Sequence, residues 1–106
     1  MDESTFIRKD STGEYYGISV RRGDTFQIKK SQNASTGYSW QIQSTPGLQL
    51  IDEKVILPHG TMPGAPGIKV WTFKAIGNEP QRVKAIYSRP WENQPEHPLY
   101  LDIDVV

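Results

Sequence analysis

The stretch LYLDIDV, residues 99–105, alternates aliphatic and polar side chains from its first position to its last. Successive side chains of a strand point to opposite faces, so this period of two predicts a strand with one buried face and one wet face. The buried face would hold Leu99, Leu101, Ile103 and Val105. A half-buried strand needs a sheet around it and a second layer against it, so the stretch predicts a two-layer β protein.

Further runs of the same kind lie between clusters of Gly, Pro and Asn. They span Glu14–Val20, Asp24–Lys30, Tyr38–Ile42, Leu48–Leu57, Lys69–Ile76 and Gln81–Ser88. Their alternation predicts four sets of side chains that each share a face: Phe26 and Ile28; Tyr38, Trp40 and Ile42; Trp71, Phe73 and Ala75; Val83, Ala85 and Tyr87. Short strands separated by turn signals are typical of a β-sandwich or a small barrel, although periodicity does not give the strand order.

Length and composition exclude several classes of protein. The 106 residues fit one domain spanning 1–106, and the 12 basic residues are balanced by 12 acidic ones. A balanced charge lacks the footprint of a nucleic-acid binder and the polybasic segment that holds a protein on a membrane. No cysteine is present, so the chain has no disulfide, thiolate metal site or thiol nucleophile. We expect no metal or cofactor, and a monomer.

The N-terminal stretch MDESTFIRKD has no apolar core of the kind that a secretory signal carries. No later stretch approaches the roughly 20 apolar residues that span a bilayer. We therefore expect a soluble protein in the cytoplasm or another intracellular compartment.

Three segments between the predicted strands have unusual compositions. Asn33–Tyr38 combines Asn, Ser, Thr and Gly in a tight turn, where the side chains can bond their own backbone and Gly37 is free to adopt a positive φ. Gly60–Gly67 holds two prolines and three glycines, which allow another backbone to approach closely. Arg89–Pro98 contains Trp91 in a proline-braced polar loop. On composition alone the first two are also compatible with ordinary connections between strands.

Trp91 and Arg89 allow two interpretations of the third segment. Tryptophan and arginine dominate interface hot spots, which favours contact with a partner. Alternatively, Trp91 folds back to cap the sandwich and Arg89 is a solvated charge. The sequence leaves both open at this point.

Enzyme chemistry has weak support. Ser88, His97 and Asp102 could form a catalytic triad, but no nucleophile-elbow motif surrounds Ser88. His59 and His97 lie in proline-flanked segments, where we expect them to be exposed, and their spacing matches no metal motif. A module that binds carbohydrate or peptide is the better alternative, because β-sandwiches with exposed aromatic residues often serve that role.

Taken together, the three segments resemble the chagasin family of cysteine-protease inhibitors. The first loop of that family reads Asn-Pro-Thr-Thr-Gly-aromatic-x-Trp, and residues 33–40 read NASTGYSW. Its second loop carries Gly-x-x-Gly, matched by GAPG at 64–67, and its third carries Arg-Pro-Trp, present as RPW at 89–91. Ala34 and Ser35 depart from the family's first loop, and Pro66 stands where a small residue is common.

The resemblance implies an immunoglobulin-like β-sandwich of about eight strands, with three inhibitory loops at one end and no enzymatic activity. Its partners would be papain-like cysteine proteases, whose active-site cleft the loops would occlude. Residues 33–38 would lie over the catalytic Cys–His pair, residues 64–67 along the unprimed side and residues 89–91 on the primed side. The implied protease-binding residues are Asn33, Ala34, Ser35, Thr36, Gly37, Tyr38, Gly64, Ala65, Pro66, Gly67, Arg89, Pro90 and Trp91.

Overall fold

The computed structural model describes residues 5–32, 37–57, 67–89, 91 and 98–106, and within these ranges the chain forms eight β-strands and no helix. The strands are β1 (Thr5–Asp10), β2 (Gly13–Val20), β3 (Thr25–Gln32), β4 (Ser39–Ser44), β5 (Leu48–Ile56), β6 (Gly67–Ala75), β7 (Gln81–Ser88) and β8 (Leu99–Val105). The prediction of an all-β fold is confirmed. The described part of the chain accordingly holds no helix long and apolar enough to cross a membrane.

The strands form two sheets. One has five strands in the order β1-β2-β8-β7-β4, and the other has three in the order β3-β6-β5. Neighbouring strands are antiparallel except β2 and β8, which run parallel from Glu14 beside Leu99 to Val20 beside Val105. Sequence periodicity gave neither this order nor the parallel pair, because both are set by contacts between distant residues.

The core lies between the two sheets and follows the predicted alternation. Phe26 and Phe73 are opposed across β3 and β6, and their rings stack with centroids 5.7 Å apart. Burial of one such side chain stabilises the fold by about 1.5–3 kcal/mol. The buried cluster is Ile18, Val20, Phe26, Ile28, Leu48, Trp71, Phe73, Ala75, Val83, Leu101 and Ile103.

The first strand is absent from the sequence-based prediction. The only aliphatic or aromatic residues of β1 are Phe6 and Ile7, which are adjacent instead of alternating. The register against β2 shifts between Phe6 and Arg8, so a bulge lies at Ile7. A bulge adds one residue to a strand and breaks its period of two, which hides the strand from a periodicity search.

The end of the sandwich where β4, β6 and β8 finish is closed by Gln81, which is only 8% exposed. Its Oε1 accepts hydrogen bonds from the Gly47 backbone nitrogen, at 2.9 Å, and from the Thr45 hydroxyl. Its Nε2 donates to the Glu79 carbonyl at 2.9 Å. A Cβ at Gly47 would overlap the Gln81 amide, so a glycine is required for this close approach. We call this cluster the Gln81 plug.

Candidate functional site

The strand register brings the three predicted loops to the other end of the sandwich. Gln32, which precedes the first loop, is paired with Gly67, which ends the second. Ser39, which begins the strand after the first loop, is paired with Ser88, which precedes the third. Because each pairing joins neighbouring strands, the bases of all three loops lie side by side. The β-strand pairing, rather than sequence spacing, therefore groups them.

The base of the first loop is held by Trp40. The Trp40 indole nitrogen donates to the Ser31 carbonyl at 2.9 Å, and the Trp40 backbone nitrogen donates to Gln32 Oε1 at 3.2 Å. These bonds join β4 to β3 across the two ends of the loop. A loop with a fixed base loses less conformational entropy when it binds a partner.

A row of side chains in contact with one another extends from Trp40 to Trp91. The Tyr87 ring contacts those of Trp40 and Tyr38, with ring centroids 4.8 Å and 5.0 Å apart. The Arg89 guanidinium carbon is 4.5 Å from the centre of the Tyr38 ring and 6.0 Å from that of Trp91. We call these five residues the aromatic–cation column. Ring stacking and cation–π contacts each contribute about 0.5–1.5 kcal/mol, so the column orders the loop bases.

The contacts of the column bear on the two interpretations of Trp91 and Arg89, in which they either contact a partner or cap the sandwich and remain solvated. Arg89 is not simply a solvated charge, because it packs on Tyr38. Trp91 contacts the first loop but does not close the sandwich, because 69% of its surface remains exposed. Of the residues in the column, Tyr87 was predicted only as a member of a strand face. Its position opposite Trp40 in the β4–β7 register brings it into contact with both Trp40 and Tyr38, and that register was not readable from the sequence.

Gly37 is the point at which the first and third loops meet. Its φ is +81°, as expected for a glycine in the predicted turn. A Cβ at this position would lie 2.5 Å from Cη2 of Trp91, so the indole ring rests directly on the glycine. The two loops thus share a contact that no side chain other than hydrogen would permit.

Five of the thirteen predicted site residues can be placed. Gly37, Tyr38, Arg89 and Trp91 are brought together at the loop end, and Gly67 lies beside Gln32 at the same end. The others lie outside the described residues: Asn33, Ala34, Ser35, Thr36, Gly64, Ala65, Pro66 and Pro90. Their predicted roles stay predictions.

The arrangement gives no support to a hydrolytic triad. Asp102 forms an ion pair with Arg82, with Oδ1 and Nε 2.6 Å apart, and is paired with Arg82 across β7 and β8. Ser88 lies six residues further along β7, which at about 3.3 Å per residue separates it from Asp102 by about 20 Å. His59 and His97 lie outside the described residues. Within the part that the structure describes, no three His, Asp or Glu residues are grouped as metal ligands.

The chain is also similar to known proteins. Residues 19–105 match the model of the chagasin family of peptidase inhibitors, I42, so β1 and most of β2 lie outside the matched region. Amoebiasin-2 of Entamoeba histolytica is 33% identical over 92 residues, which cover 84% of this chain and 75% of that protein.

Solved structures show the same fold. The cysteine protease inhibitor EhICP2 from Entamoeba histolytica superposes with a TM-score of 0.76 at 27% identity, covering 85% of this chain and 86% of its own. PbICP-C, solved in complex with falcipain-2, has a TM-score of 0.65 at 18% identity, covering 94% and 92%. These matches confirm the two-sheet fold, and the inhibitor family confirms the prediction that the chain is not an enzyme. The chain belongs to the chagasin family of peptidase inhibitors.

Proposed function

We propose that this protein is a reversible, tight-binding inhibitor of papain-like cysteine proteases, and that it occludes their cleft with residues 33–38, 64–67 and 89–91. The proposal rests mainly on the contact of Trp91 with Gly37. This contact joins the first and third loops at one end of the sandwich. The description of EhICP2 as a cysteine protease inhibitor and the complex of PbICP-C with falcipain-2 support the class of target.

The physical basis is that the loops fill a substrate cleft without acting as a substrate. Cleavage needs an extended peptide with its carbonyl close to attack distance. We expect the Ser-Thr-Gly segment of the first loop, with Thr36 nearest the catalytic pair, to occupy the same space without presenting such a carbonyl. The inhibitor is therefore bound and not cut.

The exposed indole of Trp91 would supply a large part of the affinity. A buried tryptophan at an interface is worth about 2 kcal/mol or more. Nanomolar affinity needs about −12 kcal/mol in total, and a footprint of about 800 Å² per partner is standard for such complexes. The column that holds Arg89 and Tyr38 in place reduces the ordering cost on binding.

A groove on the five-stranded sheet gives no support to the alternative of a carbohydrate-binding module. The groove has a volume of about 720 Å³, and its lining includes Gly17, Thr45, Arg82 and Asp104. The lining residues are aliphatic, small, polar or charged, and the exposed aromatic Trp91 is not among them. Sugar-binding platforms stack rings on sugars, which this groove cannot do.

The test is a titration of active papain and a second cathepsin-type protease, followed by hydrolysis of a fluorogenic peptide. We expect a stoichiometric fall in activity, with the inhibitor intact on a denaturing gel after the incubation. Full activity of both proteases at micromolar excess of the protein would contradict the proposal. Loss of activity with cleavage of the protein would identify it as a competing substrate.

A further inference from the structure

The end of the β5–β6 hairpin carries aliphatic side chains on both faces of its sheet. Ile56 and Ile68 are paired across the two strands on one face. On the other face, Val55 and Leu57 flank Gly67. A Cβ added at Gly67 would lie 3.2 Å from Val55 Cγ1 and 3.0 Å from Leu57 Cδ2. All four aliphatic residues are exposed. We call them the hairpin patch.

The two faces of the patch are exposed for different reasons. Val55 lies on the same face as the core residue Trp71, but the opposing sheet leaves it and Leu57 in water. Ile56 and Ile68, in contrast, lie on the outer face, which no second sheet covers in the part that the structure describes. β5 is an edge strand beyond β6, and Leu48 at its start is its only buried residue. β5 and β6 have nine residues each, whereas β4, at the edge of the other sheet, has six. A cluster of large aliphatic side chains in water is unfavourable and commonly marks a surface that is covered by a partner.

The position of the patch indicates which partner covers it. Ile68 is paired with Ser31 and Gly67 with Gln32, so the patch adjoins the base of the first loop. It therefore continues the loop end of the sandwich onto the three-stranded sheet. We propose that the hairpin patch is a further part of the protease-binding surface and packs on an apolar rim beside the cleft. This inference rests on the proposed function.

The free edge of β5 argues against a second copy of this chain as the partner. A bulge lies between Leu50 and Asp52, and the charged run Asp52-Glu53-Lys54 follows it. Glu53 forms an ion pair with Lys69 at 2.8 Å. Bulges and charges of this kind prevent one edge strand from pairing with another. The patch can therefore bind through its side chains, whereas addition of a strand is disfavoured.

The test compares two double substitutions of similarly exposed isoleucines. Ile56→Thr with Ile68→Thr changes the patch, where these residues are 46% and 40% exposed. Ile51→Thr with Ile76→Thr changes positions that are 52% and 46% exposed and lie toward the Gln81 plug. Both pairs keep β-branching, so the strand propensity is preserved. The inhibition constant for papain and the midpoint of thermal unfolding are measured for each variant and for the unchanged protein.

We expect the patch variant to raise the inhibition constant at least tenfold and the control variant less than twofold, with similar midpoints for both. Equal constants for the two variants, while the unchanged protein inhibits papain, would overturn this inference and leave the proposed function standing. Absence of inhibition by the unchanged protein would overturn both. Sedimentation of the free protein tests the alternative that a second copy of this chain binds the patch. A dimer that the patch substitutions dissociate, with inhibition unchanged, would assign the patch to a second copy.

Discussion

The two ends of the sandwich each place a large side chain on a glycine, yet the two contacts do different things. Gln81 lies on Gly47 in a buried cluster where every polar atom of its amide has a partner within the chain. Trp91 lies on Gly37 with 69% of its surface in water. The first contact satisfies buried hydrogen-bonding groups and so stabilises the fold. The second holds an exposed apolar side chain in a fixed position. The comparison indicates that the Gln81 end contributes to stability, and under the proposed function the loop end serves recognition.

Substitution of Gly47 by Ala tests the stability end and should have the largest effect. The added methyl group displaces the Gln81 amide, which leaves the Thr45 hydroxyl and the Gly47 backbone nitrogen without their acceptor. Loss of such buried bonds together with overpacking costs about 3 kcal/mol of the free energy of unfolding, measured by denaturant titration. The inhibition constant of the folded fraction should not change. A large change in that constant with unchanged stability would break the division between the ends.

Substitution of Trp91 by Ala tests the recognition end. Because the indole is mostly exposed, its removal should leave the free energy of unfolding within about 0.5 kcal/mol. The inhibition constant for papain should rise about 30-fold, which corresponds to about 2 kcal/mol of binding. Unfolding of the variant at a much lower temperature would place Trp91 in the fold and not in the interface.

Substitution of Gly37 by Ala should have a smaller effect on both stability and inhibition. The positive φ of Gly37 makes any other residue strained by about 1 kcal/mol, which lowers stability slightly. The methyl group also displaces Trp91, so the inhibition constant should rise about tenfold, or about 1.4 kcal/mol.

A double-mutant cycle separates the two causes. In the Trp91→Ala background, Gly37→Ala should retain its effect on stability and lose most of its effect on inhibition. Additive effects on inhibition would show that Gly37 and Trp91 act independently. That result would contradict the role that we assign to the contact between them.

The fold could be predicted from the sequence wherever one face of a strand is buried. The alternation at residues 99–105 and the buried set Trp71, Phe73 and Ala75 follow directly from the pleat of a strand between water and core. The strand β1 has no such alternation, because a bulge disrupts its period of two. The parallel pairing of β2 with β8 could not be predicted either, because no local pattern encodes a partner more than eighty residues away.

The candidate site was predictable in composition but not in arrangement. Arg89 and Trp91 were identified by residue type and by resemblance to a family motif. Their contacts with Tyr38 and Gly37 depend on the register of β4 against β7, which the sequence does not display. The hairpin patch was not predicted for a related reason. Its aliphatic residues fit a buried strand as well as an exposed one, and the packing of the two sheets, which the sequence does not display, distinguishes the two.

The most direct test of cleft occlusion is calorimetric titration of the protein into two forms of inactivated papain. In one form the catalytic cysteine carries a small methylthio group, and in the other a peptidyl group that fills the substrate cleft. We predict tight 1:1 binding to the first form and no measurable binding to the second, because the loops and the peptidyl group require the same space. Equal affinity for both forms would show that the protein binds elsewhere on the protease and would contradict the account.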